Sequence, residues 1–264
     1  MDDFTLIEGT APLLVSLPHD GTALPESMAA RVTDAARRVP DTDWHVGILY
    51  AFARELGASV IAPHWSRYVA DLNRDPAGHA LYPGRSETAL VPVTTFAGEP
   101  IYRAGEEPGE QEITLRRELY WQPYHDALQA ELVRMRALHP RVVLWDGHSI
   151  RGRVPMFFDG QLPDFNLGTA GGTSCSRGLQ DALEVVLRER ADGDASAYSH
   201  VVNGRFKGGY ITRHYGRPGD GVEAVQLELV QHTYMDEDSF EYLPERAAPV
   251  QAIIHGLLEA CLAD

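Results

Sequence analysis

The chain has 264 residues, 44% hydrophobic and 23% charged, a globular composition able to bury one substantial core and lacking the linker that a second full domain would need. A formal charge of −15 argues against non-specific binding to nucleic acid or an anionic membrane surface, and two scattered cysteines, Cys175 and Cys261, argue against a disulfide framework or a thiolate metal site. Apolar runs well below the ~18 residues of a spanning helix, and the acidic start Met1-Asp2-Asp3, predict a soluble, cytoplasmic protein.

In chain order, residues 12–17 form an apolar run that stops in a turn carrying His19, the pattern of a buried strand. Residues 43–56 place Val46, Leu49, Tyr50, Ala53 and Leu56 on one helical face, with Asp41 and Thr42 as candidate caps. A second strand over 57–62 leads through His64 and Arg67 to Asp71-Leu-Asn73-Arg74. Residues 76–110, rich in Gly, Pro, Thr and Glu, read as an insertion and a candidate lid. A helix over 123–138 presents Tyr124, Leu128, Leu132, Met135 and Leu138, and a strand over 141–145 runs into Asp146-Gly-His148-Ser149. Helices over 176–188 and 247–262 flank a last strand over 224–229, which carries Glu228. Apolar strands alternating with amphipathic helices predict one α/β domain over 1–264, with a mostly buried sheet.

Ligands of open α/β sheets collect beyond the carboxyl ends of the strands, which directs attention to the residues following each apolar run. His19, His148, Asp43 and Glu228 converging there would make a metal-hydrolase constellation, with N and O ligands for one ion and a glutamate as base. Each also has a plainer role: a turn or core histidine for His19 and His148, and a helix-start acid for Asp43, with Asp41 as its competitor. Glu228 sits between Val225, Leu227, Leu229 and Val230, where an unpaired carboxylate costs several kcal/mol to bury. Its plainer role is a structural salt bridge to an arginine. Asp146-Gly-His148-Ser149 is a poor serine-hydrolase motif, because no nucleophile elbow follows a strand.

Seven stretches carry a resemblance: Ser16-Leu-Pro-His-Asp-Gly21, Asp41-Thr-Asp-Trp-His-Val46, Ser66-Arg-Tyr-Val-Ala-Asp-Leu-Asn-Arg-Asp-Pro76, Asp146-Gly-His-Ser149, Asp164-Phe-Asn-Leu-Gly168, Gly208-Gly-Tyr-Ile-Thr-Arg-His-Tyr-Gly216 and Gln226-Leu-Glu-Leu229. In this order they resemble the N-formylglutamate amidohydrolase family, the deformylases of histidine breakdown, over nearly the whole chain.

That resemblance implies a phosphorylase/hydrolase-like three-layer α/β sandwich with a mixed central sheet, related to zinc carboxypeptidases and aspartoacylases. It also implies one divalent metal ion, zinc by that likeness, and hydrolysis of N-formyl-L-glutamate. His19 and His148 would ligate the ion. The wider relatives draw a second ligand from a His-x-x-Glu motif, but Thr22 stands three residues after His19. Asp43 is therefore the choice and Asp41 the reserve. Glu228 would shuttle the proton, while Asn73 and Arg74 would clamp a carboxylate of the small anionic substrate. Arg67, Arg151, Arg153, Arg205, Lys207 and Arg213 lie in or near the same stretches, and Arg213 is the second choice for recognition. The rival readings are a metal-dependent deacylase for another N-acyl amino acid or a peptidoglycan-type amide, and a non-catalytic carboxylate-binding relative.

Overall fold

The computed structural model describes residues 3–81, 84, 86–191 and 198–263, which leaves Met1 and Asp2 of the N-terminus and 82, 83 and 85 of the predicted insertion outside the described residues. Seven strands form one sheet: β1 (Phe4–Ile7), β2 (Leu13–Ser16), β3 (Ser59–Pro63), β4 (Val142–Ile150), β5 (Phe165–Gly168), β6 (His200–Val202) and β7 (Val222–Val230). Their order is β1-β3-β2-β4-β7-β5-β6. The central pairings β3/β2, β2/β4 and β4/β7 are parallel, whereas β1 joins β3 and β5 joins β7 antiparallel, so the sheet is mixed.

The helices are α1 (Glu26–Ala29), α2 (Asp34–Arg37), α3 (Val46–Leu49), α4 (Glu110–Arg116), α5 (Gln122–Leu138), α6 (Arg177–Ala191), α7 (Tyr210–Tyr215) and α8 (Pro244–Leu262). On one side of the sheet, Val15, Trp145 and Leu227 pack against Leu49 of α3, Leu183 of α6 and Ile254 of α8. On the other, Leu14, Leu144 and Ala224 pack against Leu128 and Leu132 of α5 and Ile211 of α7. Side chains alternate between faces along a strand, so Leu144 and Ala224 define the face on which Asp146, His148, Gln226 and Glu228 follow. That face is apolar under α5 and becomes polar towards the carboxyl ends of β4 and β7. None of the described helices is long and apolar enough to cross a membrane.

Three local expectations are corrected. The strand predicted over 141–145 runs to Ile150, because β7 pairs with β4 as far as Ile150 and Val230, four residues beyond the last β2 partner, Asp146. The helix predicted over 43–56 is short: His45 takes a left-handed backbone (φ 63°), so α3 starts at Val46, and Ala51–Arg54 is a 3-10 turn. Leu138, placed on the apolar face of α5, is 62% exposed at the helix end. Within the predicted insertion, Ile101 and Tyr102 are buried against Met28 and Val32, so this part is packed onto the body of the molecule.

Candidate active site

Four elements deliver the polar groups to the carboxyl edge of the sheet. The turn after β2 brings His19, the turn before α3 brings Asp43, β4 brings Asp146 and His148, and β7 brings Gln226 and Glu228. Backbone contacts fix the first two, with the Asp43 N–H donating to the His19 carbonyl (3.1 Å). His148 and Glu228 are register partners across the parallel β4/β7 ladder, which sets them side by side.

His19, Asp43 and His148 are all buried and turn three potential ligand atoms towards one another. His148 Nδ1 lies 3.1 Å from His19 Nδ1 and 3.0 Å from Asp43 Oδ2, and His19 Nδ1 lies 3.6 Å from the same oxygen. Tetrahedral ligands about 2.0–2.1 Å from a common ion stand roughly 3.3–3.4 Å apart, so this triangle has the size of three zinc ligands. Asp43 Oδ1 is buried and accepts no hydrogen bond among the described residues. The far nitrogen of each imidazole meets a carboxylate: His19 Nε2 is 2.7 Å from Asp71 Oδ1, and His148 Nε2 is 3.1 Å from Asp146 Oδ1. The carboxylate behind His19 fixes the tautomer that leaves its Nδ1 free to ligate, whereas His148 Nε2 is shared between Asp146 and the Asn73 amide. The residues present therefore fit a divalent cation.

The electrostatics follow from this crowding. Burial alone would raise the pKa of Asp43, but the facing imidazoles of His19 and His148 outweigh it and hold the carboxyl well below its usual range. Burial also opposes ionisation of Asp71, yet Arg67, whose Nη2 donates to it at 2.7 Å, and His19 keep it strongly acidic. Glu228 moves the other way. Burial, with a smaller contribution from Asp43, overcomes the pull of His148 and raises its pKa to about 8. Its carboxylate accepts from Gln226 Nε2 at 3.4 Å, and no salt bridge to an arginine forms among the described residues.

The cleft beside these groups encloses about 540 Å³ of space, open solvent at its mouth included. His19, His148 and Glu228 line it, together with Arg67, Arg74 and Arg205. Asp41 turns away from the triangle, accepting from the Tyr68 hydroxyl (2.7 Å) and the Phe96 N–H (2.9 Å), and Asp43 takes the place between the histidines. Asn73 is committed to the protein: Nδ2 reaches Asp146 Oδ2 (3.1 Å) and His148 Nε2 (2.9 Å), while Oδ1 accepts the Ile211 N–H. Gly209 allows this, since a Cβ there would come within 2.4 Å of Asn73 Nδ2. Arg74 lines the cleft with its guanidinium braced on Thr88 and on the Asn73 carbonyl. Arg213 is exposed on α7, its Nε donating to the Gly208 carbonyl, and it does not line the cleft. Sequence reasoning passed over Asp71 and Asp146 as functional groups. Asp146 stands two residues before His148 on the same face of β4, in the part of the strand beyond its predicted end.

Fold and cleft together define a mixed-sheet α/β protein with a candidate metal centre at the carboxyl edge of the sheet. Residues 11–235 match the family model described as N-formylglutamate amidohydrolase. The N-formylglutamate deformylases of Pseudomonas putida and Pseudomonas aeruginosa are 49% and 50% identical to it, each over 97% of this chain and 94% of the relative. A crystal structure of N-formylglutamate amidohydrolase from Ralstonia eutropha JMP134 superposes with a TM-score of 0.81 at 26% identity, covering 98% of both chains. The chain belongs to the N-formylglutamate amidohydrolase family.

Proposed function

We propose that the protein hydrolyses N-formyl-L-glutamate to formate and L-glutamate, with His19, Asp43 and His148 holding one divalent ion, zinc first among the candidates. The observation that carries the reading is the ligand triangle standing beside Glu228, its neighbour in register, inside a family whose relatives are named for this reaction. When bound, such an ion polarises the formyl carbonyl and eases deprotonation of a water.

The rest is work for the chain. Asp71 and Asp146 anchor the imidazoles, and Arg67 and Asn73 hold those carboxylates in turn. Glu228 takes a proton from the attacking water as the new C–O bond forms, then passes it to the amine nitrogen as the C–N bond breaks. A pKa of about 8 keeps both of its protonation states within reach near neutral pH, as a group that takes and returns a proton requires. Arg74, on the cleft wall, faces a substrate carboxylate. A place in histidine breakdown and in the cytoplasm belongs to the same reading; both cysteines are buried free thiols, as a reducing compartment allows.

The test is a steady-state assay of N-formyl-, N-acetyl- and N-succinylglutamate on the purified protein. The formyl compound is expected to have the highest kcat/KM, with stoichiometric formate release. Faster turnover of another acyl group, with the formyl compound inert, would contradict the reading.

A further inference from the structure

Resting on the proposed reaction, we infer that Thr88 is a positioning residue for substrate recognition, which sets the Arg74 guanidinium in the orientation that meets the substrate carboxylate. Thr88 belongs to the insertion predicted over 76–110 and is buried. Its main-chain carbonyl accepts from Arg74 Nε at 2.9 Å and its hydroxyl oxygen from Nη2 at 2.8 Å. One residue thus offers two acceptors to one edge of the guanidinium, in the side-on manner of a carboxylate but without a charge. The third contact, from Nη1 to the Asn73 carbonyl at 3.0 Å, holds the group against its own chain.

Both ends of this brace are fixed. At Arg74, the main-chain N–H donates to the Asp71 carbonyl (3.2 Å) and the carbonyl accepts from Trp121 Nε1 (3.1 Å). Beyond Thr88, the Leu90 carbonyl accepts the Asp71 N–H at 2.7 Å, and Leu90 and Val91 are buried with Leu72 and Trp121. Arg74 lines the cleft and Thr88 does not, so Thr88 acts on the substrate through Arg74. A loose arginine side chain loses rotamer freedom each time a ligand binds, whereas a braced one has already lost it on folding, so less opposes binding. The hydroxyl is the part of the brace that a substitution can remove, since the carbonyl belongs to the main chain. A segment that reads as a surface insertion is thereby part of the recognition of the substrate.

The experiment measures kcat and KM for N-formylglutamate in the wild type, Thr88→Val, Thr88→Ser, Arg74→Ala and the double variant Thr88→Val/Arg74→Ala. Thr88→Val removes one hydrogen bond to a charged group and should raise KM about 10-fold with kcat little changed. Thr88→Ser keeps the hydroxyl and should recover most of that loss. Added to Arg74→Ala, Thr88→Val should cost no further kcat/KM, because the side chain it positions is gone. Thr88→Ala takes the place of the valine variant if that variant does not fold, and the KM shift with its serine rescue decides if Arg74→Ala turns over too slowly to measure. An unchanged KM in Thr88→Val, a loss confined to kcat, no rescue by serine, or the full loss repeated in the Arg74→Ala background would overturn the assignment and leave the proposed reaction standing. A wild type inert towards N-formylglutamate would remove the reaction itself and the assignment with it.

Discussion

Two regions on the α5 side of the sheet bury histidines, and the neighbours of each imidazole set what it can do. In the cleft, His19 and His148 stand among Asp43, Asp71 and Asp146. Beneath it, His125 on α5 stacks on Trp121 (3.8 Å between centroids), donates from Nε2 to the Leu72 carbonyl at 2.8 Å and lies 3.0 Å from the Tyr215 hydroxyl. Burial without a carboxylate drops the pKa of His125 to about 3, a neutral structural group. In the cleft the carboxylates outweigh burial and raise that of His148 well above its usual value. Burial alone therefore does not mark a functional histidine; surrounding carboxylates do.

Breaking the carboxylate-rich region should have the largest effect. His148→Ala removes a ligand atom and should abolish metal retention and turnover together, read by elemental analysis and formate release; full metal occupancy would refute the ligand role. Glu228→Gln keeps shape but cannot cycle a proton, so kcat should fall about 10²–10⁴-fold with metal retained. Metal lost in that variant would make Glu228 a ligand instead. Asp71→Asn weakens the carboxylate behind His19 and should cost about 10–100-fold in metal affinity, measured by competition with a chelating dye.

The aromatic region should respond in stability. His125→Phe leaves the Leu72 carbonyl unpaired, at a cost of about 1–3 kcal/mol in denaturant unfolding, while the Tyr215 hydroxyl keeps the backbone carbonyl of residue 125. It also changes the pH dependence. Wild-type His125 takes up its proton near pH 6.5 when unfolded but only at about 3 when folded, so the unfolded state binds more protons between those values. Its contribution is intact above pH 6.5 and is lost as the pH falls towards 3, by an upper bound of roughly 5 kcal/mol. The variant should show a shallower loss over that window; an unchanged slope would mean that His125 titrates normally in the fold.

Much of this was legible in the sequence. Strands β2, β3, β4 and β7 and helices α5, α6 and α8 announced themselves by apolar runs or helical periodicity, His19, His148 and Glu228 as candidates by their places after or within such runs, and Asp43, with Asp41 in reserve, by the family resemblance and the start of a predicted helix. What escaped depended on tertiary pairing. Asp146-Gly-His148 has turn composition, yet it remains strand because β7 pairs with β4 as far as Ile150, past the end of the β2 pairing at Asp146. Asp71 has the look of a turn acid until Arg67 and His19 close around it. α7 has only six residues, too few for periodicity to show that Arg213 faces solvent. Arg205 reaches the cleft wall by way of the Phe157 and Ser86 carbonyls, 48 and 119 residues away in the chain.

Chelation followed by metal titration tests most directly whether the His19, Asp43 and His148 triangle carries the reaction. Protein stripped of metal, verified by elemental analysis, is titrated with Zn²⁺ while formate release from N-formylglutamate is followed. The expected result is loss of turnover on stripping and linear recovery that saturates at one ion per chain in the wild type, with no recovery in His148→Ala. Undiminished turnover by metal-free protein, or full recovery in His148→Ala, would contradict it.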